Sequence, residues 1–486
     1  MIAPWVACEV KTADFKDKRL NKRFAQVLGA LADQPTASIP AACNGFAETT
    51  AAYRFFDNEK VTFGSVLEPH RQATLERMAA QSVVIVAQDT TEIDLTRPDQ
   101  QVTGAGPLDE GTRRGAFLHE LHAFTPDGTP LGTLDACPWT RDDEPLAPSQ
   151  QRAKERKKAP LEEKESRRWV DTLQTCRKVA EDLPDTRIIA LADSEGDIYE
   201  LLVAAQEEPR TIDWIVRACQ NRALARDDQS QEPQEKLLRE RVMAAPVLFT
   251  HMISVRGRRA KIGCDTRGRR QARQSRDAEV EVRAATLTLR PPYRPDRKLP
   301  PVTLNVVLVR EITPPEGEEP VEWIVLTNLP IDDAEQVLLI IQYYCVRWMI
   351  EVFFRTLKSG CRVEDRLFEH IDRLLPCLAA YLIVAWRTLY VCRLGRSCPD
   401  VSCEAVFEPA EWKAVYCVVC REPLPSTPPT LSEMVRWVAQ LGGYVNRKRP
   451  DPPGPQTIWL GLQRAHDFAI CWQNFGPGSQ GSAEDV

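Results

Sequence analysis

The stretch Tyr343-Tyr344-Cys345-Val346-Arg347-Trp348-Met349-Ile350-Glu351-Val352-Phe353-Phe354-Arg355-Thr356-Leu357-Lys358 decides how this chain is read. It holds no glycine or proline, and its apolar residues recur at helical spacing, which predicts an amphipathic helix. Tyr344, Arg347, Glu351, Arg355 and Lys358 are separated by three, four, four and three residues, so an unbroken helix sets all five on one exposed stripe. Val346, Ile350, Phe353 and Leu357 make the core-facing stripe. An ordinary surface helix alternates acids and bases for short-range pairing, whereas this one gathers three cations and a phenol around one carboxylate. Converging cations suit a phosphate group. A lone carboxylate among them suits a metal ion that the phosphate also touches.

Two further carboxylates follow apolar runs. Val83-Val84-Ile85-Val86-Ala87-Gln88-Asp89 reads as a buried strand that ends by delivering Asp89. A hairpin comes next, Ala116–Thr125 and Leu131–Trp139, turned by Pro126-Asp127-Gly128. Ile188-Ile189-Ala190-Leu191-Ala192 is a second buried strand and ends in Asp193. Asp197 fits the N-cap of the helix expected over Ile198–Gln206, which leaves the chemical role to Asp193. An Asp at a strand end is often structural, but two such elements ahead of a cation-flanked Glu point to a shared site.

Asp213–Arg217 is another strand, and from about Arg222 to Leu329 the pattern turns to β, with strands over Leu248–Val255, Ala278–Leu289, Thr303–Ile312 and Trp323–Thr327. Arg256, Arg258, Arg259, Arg267, Arg269 and Arg270 fall in its loops, as a DNA-tracking or a merely solvated set. Arg152–Trp169 reads as a charged linker helix. After Glu351 the chain reads as helical: Asp372–Leu394, an irregular Pro399–Pro429, then Leu431–Gly442 and Thr457–Phe468, a pair suited to dimerisation or packing.

At the other end, Asp14–Ala32 and two shorter helices around Ala41 and Glu48–Phe56 form a small unit with Lys and Arg on its surface. Such a unit is either a DNA-binding module or a helical cap with a solvated face. The whole chain carries a net charge of -6 and a pI of about 5.8, unlike a typical nucleic-acid binder. Charge is unevenly placed, however: Met252–Pro300 has 14 Lys and Arg against 5 Asp and Glu. No signal peptide is read at Met1, and the longest apolar run, Leu378–Trp386, is nine residues, too short to span a bilayer. Fifteen cysteines without an export signal imply a reduced, cytoplasmic setting. Cys398, Cys403, Cys417 and Cys420 are either buried thiols, the favoured reading, or a loose zinc set.

The spacing Tyr344-x2-Arg347-x3-Glu351-x6-Lys358 resembles the signature of bacterial insertion-sequence transposases with an Asp-Asp-Glu triad, the type carried by the kanamycin-resistance composite transposon. Asp17–Arg23, Ala52–Asn58, Glu163–Ser166, Leu304–Gly360, Leu441–Tyr444 and Lys448-Arg449 also look like that family. The resemblance implies an α/β fold: an RNase H-like core with an all-β insertion between helical end domains. The expected boundaries are 1–70 for an end-binding domain, 71–375 for the catalytic domain with its insertion at about 222–329, 376–476 for a dimerisation domain, and 477–486 for a disordered tail. It implies that Asp89, Asp193 and Glu351 hold two Mg²⁺ ions about 3.5–4 Å apart, replaceable by Mn²⁺. Tyr344, Arg347 and Lys358 would grip terminal phosphates, and Arg217, Arg54, Arg19, Lys22 and Arg23 would contact DNA. Trp323 would stack on a flipped base, or else belong to the core. The expected partners are double-stranded DNA, as transposon ends and target, and a second copy of the chain; no membrane and no nucleotide cofactor are expected. The expected activity is cut-and-paste transposition through a DNA hairpin. A same-fold nuclease without strand transfer and a catalytically silent DNA-binding descendant are the alternatives.

Overall fold

Residues 2–109, 112–142, 160–207, 211–225, 236–255, 257, 273–294, 297–445 and 452–477 are described by a computed structural model of the chain. The fold divides into two units, Met1–Ala147 with Trp348–Val486, and Pro148–Arg347.

The first unit is built on an antiparallel sheet: β1 (Val83–Asp94), β2 (Gly106–Pro107), β3 (Arg114–Phe124) and β4 (Pro130–Trp139). β1 pairs along one edge of β3, while β4 and the short β2 share its other edge. The β3–β4 hairpin lies where the sequence predicts it. Gly128 sits at φ +85 and donates its N–H to Thr125 O, a conformation that only glycine adopts freely. β1 runs past Asp89 for five more residues, so Asp89 stands inside the strand and not at its end. The β-branched Thr90, Thr91 and Ile93 carry the extended backbone onward.

Helices α1 (Pro4–Glu9), α2 (Lys18–Asp33), α3 (Ile39–Cys43), α4 (Phe46–Phe56) and α5 (Phe63–Ala79) precede this sheet. Phe15, Phe24 and Phe55 form an aromatic centre among the first four, with Phe24 stacked on Phe55 at 5.9 Å. α5 packs on β4, and the expected boundary at residue 70 cuts through it. The return of the chain gives α10 (Trp348–Arg355), a π-turn at Thr356–Gly360, and α11 (Ile371–Ser397). The boundary at 375 likewise falls inside α11, which lies against both β4 and α5. α11 is long and apolar enough to cross a membrane by length and composition, yet 83% of its apolar window is buried inside the protein. The helical stretch Ala334–Asp365 passes the same test with 50% buried. The segment read as irregular contains α12 (Pro409–Val419), which opens with a capping box between Glu408 and Glu411. α13 (Leu431–Leu441) and α14 (Pro455–Phe475) complete a C-terminal core of Trp412, Val415, Met434, Val438 and Ile458.

The second unit begins, among its described residues, with a 3₁₀ turn at Leu161–Glu163 and α6 (Arg167–Asp182), so the helix starts where the charged linker was expected to end. Next come β5 (Arg187–Ala192), α7 (Tyr199–Ala204), β6 (Asp213–Arg217) and α8 (Leu238–Met243). β7 (Phe249–Val255), β8 (Arg276–Leu289), β9 (Val302–Glu311), β10 (Glu322–Thr327) and α9 (Ala334–Val346) follow. β5 and β6 run parallel, and β10, β9, β8 and β7 add to β6 in that order, all antiparallel. The β region is therefore not a free-standing all-β insertion. It extends the sheet of β6 through the Val325–Arg217 register and contains a helix. The arginines at 256, 258, 259, 267, 269 and 270, the stretch 152–159, Lys448-Arg449 and the tail from 478 lie outside the described residues.

Candidate active site and nucleic-acid interface

In the first unit, α10 packs on β1, which brings the helix of Glu351 onto the strand of Asp89. Ile350 and Phe353 anchor α10 at 0% exposure, and Glu351 between them is half-buried. Asp89 stands opposite Glu120 of β3 and accepts the Thr90 N–H at 2.8 Å. It too is half-buried, a position that leaves a carboxylate accessible.

Lys358 does not continue a row of cations. The π-turn widens the helix after Arg355 and breaks the spacing that would align Lys358 with Glu351. Its Nζ lies 3.8 Å from Glu364 Oε1. Burial pushes its amine below the ordinary range; Glu364, Glu92 and Asp94 pull it back, and Arg113 opposes them. Arg113 joins Glu92 at 2.7 Å and Asp94 at 3.3 Å, and the Asp94 N–H donates to Glu364 at 3.0 Å. Lys358 thus belongs to a mixed-charge lattice over the end of β1. The sequence reading missed Arg113, Glu92 and Glu364, because they carry no periodic signal of their own. Of the cations on the stripe, Arg355 is exposed, whereas Arg347 is buried and Lys358 half-buried.

In the second unit, five of the expected residues meet around Tyr344. The side chain is 8% exposed and not on an exposed stripe, since α9 turns it inward with Tyr343 and Val346. Burial raises its phenol above the ordinary value; Arg347 and Arg217 lower it, and Asp193 raises it further. The Tyr344 hydroxyl is buried without an aligned hydrogen-bond partner among the described residues. The Trp323 ring lies 6.5 Å away. Arg347 itself is 9% exposed, also against expectation. A buried hydroxyl beside two guanidiniums is an arrangement whose chemistry suits an anionic oxygen.

The capping role read for Asp197 falls to Asp193. Asp193 caps the turn Ser194–Gly196 by accepting the Glu195 N–H at 2.7 Å. Asp197 caps no helix; it is 4% exposed, holds Arg222 at 2.5 Å and accepts the N–H groups of Cys219 and Gln220. Asp193 stays half-buried at the end of β5, where a ligand can reach it.

On the N-terminal helices, Arg19, Lys22 and Arg54 are exposed and Arg23 is half-buried. Arg19 is engaged with Asp17 at 3.1 Å. Within neither unit are three His, Cys, Asp or Glu side chains gathered to hold a metal among the described residues; Asp89 and Glu351 belong to one unit and Asp193 to the other. Of the four C-terminal cysteines, Cys403 is fully buried with its thiol pushed up to about 12 by burial and Glu404, while Cys398 is exposed.

Residues 2–61 match a family model described as transposase DNA-binding, and residues 383–473 match one described as the transposase Tn5 dimerisation domain. The first match spans α1–α4 with their exposed cations, and the second covers most of α11 through α14. Among solved structures, the cryo-EM structure of a piggyBac transposase synaptic complex with hairpin DNA covers 82% of this chain and 72% of its own at 10% identity. Its TM-score is 0.33, too loose a likeness to bear on the fold. The two ends of the chain thus match models of transposase domains, one for DNA binding and one for Tn5 dimerisation.

Proposed function

We propose that the chain is a cut-and-paste DNA transposase of the type carried by the kanamycin-resistance composite transposon, with an RNase H-like core and Asp89, Asp193 and Glu351 as its catalytic carboxylates. The observation that carries this reading is the cluster at Tyr344: a buried hydroxyl beside Arg347, Arg217 and Asp193, on a chain that matches transposase DNA-binding and dimerisation models. The three carboxylates offer only hard oxygen donors, which fit Mg²⁺ or Mn²⁺. An ion held there would supply charge neutralisation at the phosphodiester and activation of a water or a 3′-OH. Arg347, Arg217 and Tyr344 bind and orient the terminal phosphates, and Trp323 receives a base extruded as the hairpin forms. The N-terminal helices bind the inverted-repeat end, and two copies synapse through the C-terminal domain.

The test is incubation of purified protein with Mn²⁺ and a duplex of the DNA bordering its gene, resolved on a denaturing gel, with Glu351→Gln alongside. Hairpin and joined products that vanish in the variant support the reading. Nicks without joining assign a nuclease instead. A band shift without cleavage by either protein assigns a DNA-binding descendant.

A further inference from the structure

A cleft of about 450 Å³ opens in the first unit beside the π-turn, lined by Arg355, Arg362, Ser359, Gln456, Thr36 and Trp459 among others. No acid lines it. Arg355, Ser359 and Gln456 have no hydrogen-bond or ion-pair partner among the described residues, so their donors are available to a ligand. Arg362 holds a left-handed backbone, φ 50, and Asp365 fixes its guanidinium at 2.6 Å. The π-turn and this left-handed residue bracket the cleft, and together they bring two arginines seven positions apart to one opening.

We propose that this cleft seats a backbone phosphate of the DNA strand that runs on from Glu351. The inference rests on the reading of Glu351 as part of a DNA-cleaving site. Two guanidiniums, a hydroxyl and an amide present several donors toward one opening, which matches an anion with several acceptor oxygens. A base or nucleoside fits less well. Trp459 is 5% exposed, and Gly360 lies so close to its ring that a Cβ there would stand 2.8 Å from it, so that face is not offered for stacking. Arg355 follows Glu351 by four residues, about 5–6 Å along one helical face, so a strand held at Glu351 reaches it within one turn. Arg355 is the cation of the stripe that the Tyr-Arg-Glu-Lys signature does not require, and the cleft gives it a task.

The test is the salt dependence of binding between the full chain and a fluorescein-labelled duplex of the DNA bordering its gene. The wild type is compared with Arg355→Ala/Arg362→Ala, with Arg355→Lys/Arg362→Lys and with Arg436→Ala, an exposed arginine away from the cleft. The double alanine variant is expected to reduce the slope of log affinity against log salt by about 1, with the lysine variant and Arg436→Ala keeping the wild-type slope. An unchanged slope in the double alanine variant overturns the cleft, whether or not affinity falls, while leaving the transposase reading intact. A wild type that binds no duplex overturns that reading and the cleft with it. An unaltered urea midpoint confirms that each variant is folded.

Discussion

Trp323 of β10 and Tyr344 of α9 stand with ring centroids 6.5 Å apart and planes tilted by 58°. Trp323 is half-buried while Tyr344 is almost wholly covered, so the indole is the face of the pair that a ligand meets. Trp323→Ala is expected to weaken hairpin formation by about 10-fold or more, as loss of one base–aromatic stack of about 1–3 kcal/mol implies. Nicking is left largely intact. Quantifying nicked and hairpin products from one reaction separates the two; equal losses in both would place Trp323 in the core and not at the DNA.

Tyr344→Phe removes a buried hydroxyl that has no aligned partner. The folded protein is expected to keep its stability or gain up to about 1 kcal/mol, because an unsatisfied polar group costs energy. Affinity for the cleaved DNA end is expected to fall about 10-fold if the hydroxyl donates to a phosphate. Thermal melting and end-binding titrations, taken together, decide this; a destabilised variant would show that the hydroxyl is satisfied in solution.

Asp193 and Asp197 are expected to part company on substitution. Asp197→Ala leaves Arg222 buried and uncompensated and is expected to cost about 3–5 kcal/mol of stability. Asp193→Ala loses only a turn cap, about 1 kcal/mol, yet abolishes cleavage. Urea unfolding of both variants with cleavage assays checks this, and the reverse ranking of stabilities would refute the assignment.

Glu351→Gln keeps the shape of α10 and removes one charge. Cleavage is expected to drop by about 1000-fold, the several kcal/mol that a metal-assembled site supplies, with duplex binding within about twofold of wild type. Chelation by EDTA is expected to mimic the substitution and excess Mn²⁺ to reverse it. Cleavage that persists in EDTA would remove the metal from the mechanism.

His70 predicts a pH dependence. It is fully buried, accepts the Thr133 N–H at Nε2 and lies 2.5 Å from Glu9 through Nδ1, which fixes a neutral ring with its proton on Nδ1. Burial pushes the imidazole below its ordinary 6.5, against the pull of Glu9. Burial alone would raise Glu9, but His70 and Arg77 hold it below its ordinary 4.5. Below pH 6.5 the unfolded chain gains a proton that the folded one refuses, so stability falls by up to about 1.4 kcal/mol per unit. Glu9 stabilises above pH 4.5 and is lost only at lower pH. Urea midpoints between pH 7.5 and 5.5 are expected to decline for the wild type and to flatten in His70→Gln.

Period-two and period-three-to-four patterns made the strands at Asp213–Arg217 and Trp323–Thr327, the β3–β4 hairpin and the core stripe of Ile350, Phe353 and Leu357 legible from the residues alone. The placement of Lys358 was not, because a π-turn over Thr356–Gly360 changes helical phase without any breaker before its final glycine. Buried carboxylates also escaped. Glu9 and Glu120 carry no local signal of burial; their contacts with His70, His122 and Thr133 are made through space. The roles of Asp193 and Asp197 are set by Arg222, twenty-five residues past Asp197, which no local pattern reports. By contrast, α12 was legible and overlooked: Glu408-Pro409 followed by Glu411 is a start signal hidden in a proline-rich stretch.

The Trp386 Nε1–H donates to Pro130 O, closing α11 over β4 across 256 residues of chain. During synthesis at roughly 5–20 residues per second, the nascent strand waits on the order of tens of seconds for that helix to emerge. Over that interval the part of β4 that α11 covers stays exposed on the ribosome, so the yield of native protein is sensitive to chaperone supply and elongation rate as well as to equilibrium stability.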